Sequence, residues 1–393
     1  MTYTPLQDAL RVQPDIQTRP LGLADYRGAT TAARFSTPRE EFAALLTGCG
    51  VYDLGFRARI SLTGGDRTRW MNGMVTNNIR DLAIGRGLYA FLLNPQGRIL
   101  GDMVVYNQGE ALLVETDRSQ LEKVLATFDH YIIMDDVAVE SLGEQWTTLG
   151  LTGPKSRDLL NGIGIQTPEM QPLQMITPQC VCDCKCVECT VLRGEDALQE
   201  CYELWLAPKD ACKTWMALLA AGATPVGSEA LEMQRIAAGI PLYGVDIRER
   251  DLPQETGQLR ALNFNKGCYV GQEIVERIRS RGNVHRKFTG FLVEGAAAIA
   301  AGEKILSGSS GDDKGEDNKE VGEITSVAVL PTSSESLGQR TVALGYIRRE
   351  VAAPGREVTI GSVQGKVIPL PLTGGVSRGV TTGEAEDAVL HRA

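Results

Sequence analysis

The stretch Lys266-Gly267-Cys268-Tyr269-Val270-Gly271-Gln272-Glu273 sets a thiol between two glycines, with a lysine two residues before it. The next residues, Ile274-Val275-Glu276-Arg277-Ile278-Arg279, have helical spacing. Ile274 and Ile278 share a face, and Glu273 and Arg277 form an i,i+4 pair. Gly282 suits the stop. Cys268 is therefore predicted just before a helix N-terminus, where the partial positive charge and the Lys266 ammonium favour a thiolate. Gly267 and Gly271 allow a close ligand or a positive φ. The competing reading is a small buried thiol filling a tight turn, and spacing alone leaves both open.

Working outward, the 393 residues can bury large cores and imply two or three domains. A hydrophobic content of 43% and a charged content of 23% are those of a soluble globular protein. A net charge of -9 argues against general nucleic-acid or membrane-surface binding. The N-terminal residues lack a basic stretch followed by an apolar run, so no signal peptide is expected. No run approaches the ~20 apolar residues of a membrane span. Nine cysteines, five of them crowded between Cys180 and Cys189, point to a reducing cytoplasm rather than a secreted disulfide framework.

Residues 1–24 are polar and read as an extension that wraps the surface or frays. A helix is predicted over 38–47, with Thr37 as N-cap, Pro38 at the first position and Gly48 after the end. A strand over 57–63, the turn Gly64-Gly65-Asp66 and a helix over 67–74 follow. Two strands flank the turn Asn94-Pro95-Gln96-Gly97, and Asp102 lies on the second of them. A similar unit begins at 147–152 and turns at Gly153-Pro154 into a helix. If residues 180–186 are extended, Cys180, Cys182, Cys184 and Cys186 stand about 7 Å apart on one face. That is too wide for neighbours to share a zinc ion, so the run reads as a Cys-rich strand, with a metal-binding scaffold as the alternative. Ser228 is predicted to cap a helix over 229–238. Short strands from Lys287 onward predict a small barrel, with an acidic loop at 307–319 and a patternless tail after Pro371.

The string from Lys266 to Glu273, continued by Arg281-Gly282-Asn283-Val284-His285-Arg286, resembles the signature of the YgfZ-type folate-binding family, whose members act in iron–sulfur cluster maintenance. That family is similar to the glycine-cleavage T-protein, a tetrahydrofolate-dependent aminomethyltransferase. The likeness extends from about residue 42 to residue 370 and takes in the Thr76-Asn77-Asn78 corner. It implies that Asp102 is the family's strand acid, although the first of the two acids usual in T-proteins is here Gly101. It implies that Tyr202-Glu203-Leu204 closes the pterin-binding segment, with Glu203 accepting from adjacent N–H groups of the aminopyrimidinone. Upstream, the family's tyrosine falls at Asp196. Arg235 matches a family arginine, while a second, four residues earlier, is here Leu231. The cysteines of residues 180–189 are not part of the family pattern.

The fold class expected from this reading is α+β, with two related α/β modules forming a T-protein-like folate-binding body and a C-terminal β-barrel. The divisions are an extension at 1–24, modules at 25–145 and 146–284, the barrel at 285–372 and a tail at 373–393. The resemblance implies a cytoplasmic tetrahydrofolate-binding accessory protein for iron–sulfur cluster assembly or repair, with client or assembly proteins as partners. Cys268, Lys266 and Asp102 are its candidate catalytic residues. Glu203, Tyr202, Asp102, Arg235, Gly267, Tyr269 and Gln272 are its candidate folate contacts, and no metal site is expected. The enzyme alternative is a tetrahydrofolate-dependent aminomethyl- or methyltransferase, in which Asp102 would handle the proton.

Overall fold

The computed structural model describes residues 2–12, 19–178, 188–196, 198–282, 284–295, 298–307, 319–331 and 338–372. The N-terminal residues do not simply wrap the surface. Helix α1 (Pro5–Val12) buries Leu6 and Leu10, four residues apart, in the core around Trp215. Its polar composition hides this stripe, because one i,i+4 pair suffices for a two-turn helix. After a hairpin, α2 (Pro38–Thr47) starts as expected. Thr37 and Glu40 form a reciprocal capping box, and Pro38 opens the helix.

Two sheets form the body. One has five strands, all from residues 57–141. The other has six and draws on both sides of that block, because Gly50–Asp53 pairs with Thr147–Thr152 and with Thr224–Val226. The chain thus starts the second sheet, builds the first, and returns. The modules share a local device. Leu62-Thr63-Gly64 leads into α3 (Arg67–Met74), and α4 (Arg118–Tyr131) then packs on the same sheet. Leu151-Thr152-Gly153 leads into α5 (Ser156–Gly162) in the same way. Gly64 and Gly153 have φ of +99° and +131°, and a Cβ on either would strike a carbonyl oxygen, at 2.2 Å and 2.4 Å. In each unit an asparagine near the helix end accepts a backbone N–H beyond it: Asn72 from Ile79 at 3.0 Å, and Asn161 from Thr167 at 2.8 Å.

Helix α6 (Pro208–Ala220) buries Trp215 against the second sheet, and α7 (Ser228–Ala237) follows. Ser228 does not cap α7. The cap position is Gly227, whose N–H donates to Glu41 Oε2 at 2.7 Å, and Ser228 is buried. A carboxylate from α2 thus takes the N–H of the cap residue itself, the place that an N3 acid fills in a capping box. Ala230, Ile236 and Ala237 of α7 share a core with Leu330, Val342 and Leu344, which seats the helix against a closed six-stranded barrel over residues 286–368.

The segment holding the opening motif returns to the first sheet. Tyr269 and Val275 pack with Phe91, Leu93 and Ile99, and α8 (Gln272–Arg281) ends at Gly282 with φ of +84°. Gly271 has φ of +81°, and a Cβ there would lie 2.5 Å from the Asn94 carbonyl oxygen. Its smallness lets the motif sit on the 94–97 turn.

Candidate functional site

A cavity of about 230 Å³ lies between the two sheets, bordered by α7 and the turn Ile240-Pro241-Leu242. Asp102 enters it from the first sheet. Tyr89 Oη donates to Asp102 Oδ2 at 2.7 Å, and Gln120 Nε2 donates to Oδ1 at 2.8 Å. Burial raises the Asp102 pKa, and the Asp117 charge raises it further. Gly101 belongs to the opposite face of the strand, where a Cβ would meet Gln120 Oε1 at 3.0 Å and Val124 beyond it. An acid at 101 would therefore point into α4, not into the cavity.

Glu203 enters from the second sheet. Strand alternation puts Cys201 and Glu203 on the cavity side and Tyr202 in the core beyond. Tyr202 Oη donates to Glu200 at 2.6 Å, so the expected pterin contact turns away from the cavity. Burial first, then the Glu115 charge, push the Glu203 carboxyl up to about 7. Glu203 Oε2 is buried and makes no hydrogen bond of normal geometry among the described residues, although the Trp205 indole N–H, equally unpaired, lies near the carboxyl. The neighbouring acids are matched: Arg59 pairs with Glu115 at 2.8 Å and Arg57 with Asp117 at 3.2 Å. Such a cavity offers acceptors and a carboxyl able to hold a proton near neutral pH, so it suits a ligand rich in N–H donors. A reduced folate, whose pterin presents adjacent N–H groups, fits the orphaned Glu203 oxygen.

The other candidates do not line this cavity. Arg235 is buried and pairs with Asp246 at 2.6 Å and Glu232 at 2.7 Å, and it donates to Ser326 Oγ at 2.9 Å, which ties α7 to the barrel. Tyr269 is buried in the motif's core, and its N–H donates to Gln272 Oε1 at 3.3 Å. Cys268 is exposed, as is Gly267, which overturns the reading of a buried thiol in a turn. Lys266 is not committed to the thiol. Its Nζ donates to the carbonyls of Asn72, Val75 and Asn77 at 2.5, 2.6 and 2.8 Å, at the C-terminal end of α3. Burial lowers its pKa, to about 7, and three carbonyls that use all three ammonium donors oppose that loss. The thiols from Cys180 to Cys186 lie outside the described residues. Sequence reasoning missed Tyr89, Gln234 and Arg260, which line the cavity from separate elements and carry no local motif.

Paired α/β modules around an acid-lined cavity, followed by a closed barrel, place the protein among the T-protein-like folate folds. The chain belongs to the glycine-cleavage T-protein family: residues 22–266 match the GCVT N-terminal domain and residues 286–375 the glycine cleavage T-protein C-terminal barrel domain. It is 29% identical over 353 residues to an aminomethyltransferase of Rubrobacter xylanophilus, covering 89% of this chain and 90% of that one. A putative chloroplastic transferase of Arabidopsis thaliana is 26% identical over 339 residues, covering 86% of this chain and 74% of the relative. The fold is that of the glycine cleavage system aminomethyltransferase T from Bartonella henselae, with a TM-score of 0.80 at 20% identity, covering 94% of this chain and 98% of that one. No helix among the described residues is long and apolar enough to cross a membrane.

Proposed function

We propose that the protein binds tetrahydrofolate in the cavity between the sheets and serves one-carbon transfer of the aminomethyl type. The observation that carries this reading is the buried Glu203 Oε2, unpaired among the described residues, in a cavity that Asp102 also enters. Glu203 accepts the pterin's N–H donors. Asp102, held by Tyr89 and Gln120, keeps a proton to a higher pH than an ordinary aspartate and passes it at the reacting nitrogen. Tetrahydrofolate supplies the nitrogen that carries the one-carbon unit. Curated relatives named aminomethyltransferase support the same reading. Calorimetry with tetrahydrofolate, followed by a one-carbon transfer assay on the same sample, tests it. Binding with transfer supports it, and absence of binding overturns it.

A second reading is favoured by the exposed Cys268 and by Leu231, an apolar residue in the cavity wall where the T-protein resemblance expects arginine. In it, the protein is a YgfZ-type folate-binding accessory factor for iron–sulfur proteins, acting in the cytoplasm on client or assembly partners, with Cys268 as its working thiol. Binding without transfer favours this reading. Complementation of a cell lacking the protein by Cys268→Ser, beside a thermal melt, then decides it. Full rescue of iron–sulfur enzyme activity by the serine variant removes the thiol from the function.

A further inference from the structure

We infer that Gln234 is a specificity-determining residue of this cavity: its amide oxygen accepts a hydrogen bond from a ring N–H that the reduced pterin carries and the oxidised pterin lacks. The inference rests on the folate reading above and adds the residue that reads the ligand's redox form.

Gln234 stands on α7, lines the cavity, and is only 7% exposed. Its amide is oriented by a carboxylate. Gln234 Nε2 donates to Asp196 Oδ2 at 2.8 Å. The other oxygen, Asp196 Oδ1, accepts from the backbone N–H of Leu198 at 2.6 Å and of Gln199 at 3.3 Å. The amide nitrogen is the atom that meets this carboxylate, so the amide oxygen faces away. That oxygen, Gln234 Oε1, is buried and has no partner among the described residues. A buried acceptor left unpaired carries a desolvation penalty that a ligand donor removes.

Among the described residues the cavity thus holds two acceptors without a partner, Glu203 Oε2 and Gln234 Oε1, brought in by a strand and by a helix. The two acceptors, one on a strand and one on a helix, are assigned to different edges of the ligand. The aminopyrimidinone edge, common to every folate, supplies donors for Glu203. The donor assigned to Gln234 lies on the other ring, at N5 or N8. In tetrahydrofolate, N5 and N8 are both N–H donors. In folic acid the same two nitrogens present lone pairs, and a lone pair facing Gln234 Oε1 is repelled while the oxygen stays unpaired. Sites built around a buried hydrogen-bond partner discriminate strongly against the analogue that cannot supply it.

The test is anaerobic calorimetry with tetrahydrofolate and with folic acid on the parent, Gln234→Met, Asp196→Asn and Glu203→Gln, each checked by a thermal melt. The parent is expected to bind tetrahydrofolate at least about tenfold tighter than folic acid. Gln234→Met keeps the length and removes the strong acceptor. It should lose about tenfold for tetrahydrofolate and nothing for folic acid, so that the preference collapses. Asp196→Asn releases the amide from its fixed orientation and should shrink the preference in the same direction, which keeps the inference testable if the methionine variant does not fold. Glu203→Gln should weaken both ligands alike. An unchanged preference in Gln234→Met and Asp196→Asn, with both ligands weakened by Glu203→Gln, overturns the inference and leaves the folate reading standing. Failure of the parent to bind either form overturns both.

Discussion

Gln120 and Asp102 bond each other twice: Gln120 Nε2 donates to Asp102 Oδ1 at 2.8 Å, and Gln120 Oε1 accepts from the Asp102 backbone N–H at 3.0 Å. The ring they close passes over Gly101, whose missing side chain leaves room for the amide. The glycine that departs from the paired acids of T-proteins is thus part of how this chain aims its remaining acid.

Gly101→Asp should therefore not add a carboxylate to the cavity. It would force Gln120 aside and bury an unpaired charge against Val124. A loss of about 3 kcal/mol or more is expected, with no gain in tetrahydrofolate affinity. Urea unfolding and calorimetry on the same variant check both halves, and a variant that binds tighter at undiminished stability contradicts the geometry.

Tetrahydrofolate affinity should rise as the pH goes from 6 to 8. The free Glu203 carboxyl titrates at about 7, and only its ionised form accepts two N–H bonds, so binding releases a proton below that value. Glu203→Gln should bind at least about tenfold more weakly at pH 8 and lose the slope. Stability should move the other way. The folded-state pKa lies above the ordinary glutamate value, so Glu203 contributes stability that is full below about 4.5 and disappears as the pH rises through about 7. Glu203→Gln should thus be least destabilising, or even stabilising, at pH 8. Melts of parent and variant at pH 5 and pH 8 measure this.

Lys266→Met should unfold more easily by about 3 kcal/mol, because it strands three carbonyls at the end of α3 that the ammonium now serves. Lys266→Arg should not rescue it fully, since a planar guanidinium cannot reproduce three converging donors. Equal urea midpoints for parent and Lys266→Met would show that the clamp does not hold the motif.

Cys268 should be the first of the described cysteines to react with a thiol reagent at neutral pH. It is exposed, whereas Cys49, Cys189 and Cys201 are buried and burial raises each of their pKa values. Peptide mapping after brief labelling reads the order. Cys268→Ser should change stability by less than about 0.5 kcal/mol, as expected for an exposed site.

Much of this molecule follows from short-range rules that a sequence displays. The α2 capping box, the helix after the motif with its stop at Gly282, and the alternation of the barrel strands all depend on residues within a few positions of one another. The alternation that puts Glu203 on one face of its strand is equally local, and it also turns Tyr202 away, a consequence missed when both were grouped by resemblance. Only the tertiary structure decided partners that lie far apart in the chain. Residues 191 or more positions from Lys266 claim two of its ammonium bonds, and the lysine is thereby drawn away from the neighbouring thiol that its spacing suggested. Arg235 is drawn into the ion pairs between α7 and the barrel, and Gly50–Asp53 joins a sheet whose other strands come a hundred residues later. Gln234 shows why such features escape a reading along the chain: an amide's direction is set by whichever buried charge lies across from it, and Asp196 meets it only after the second module has folded.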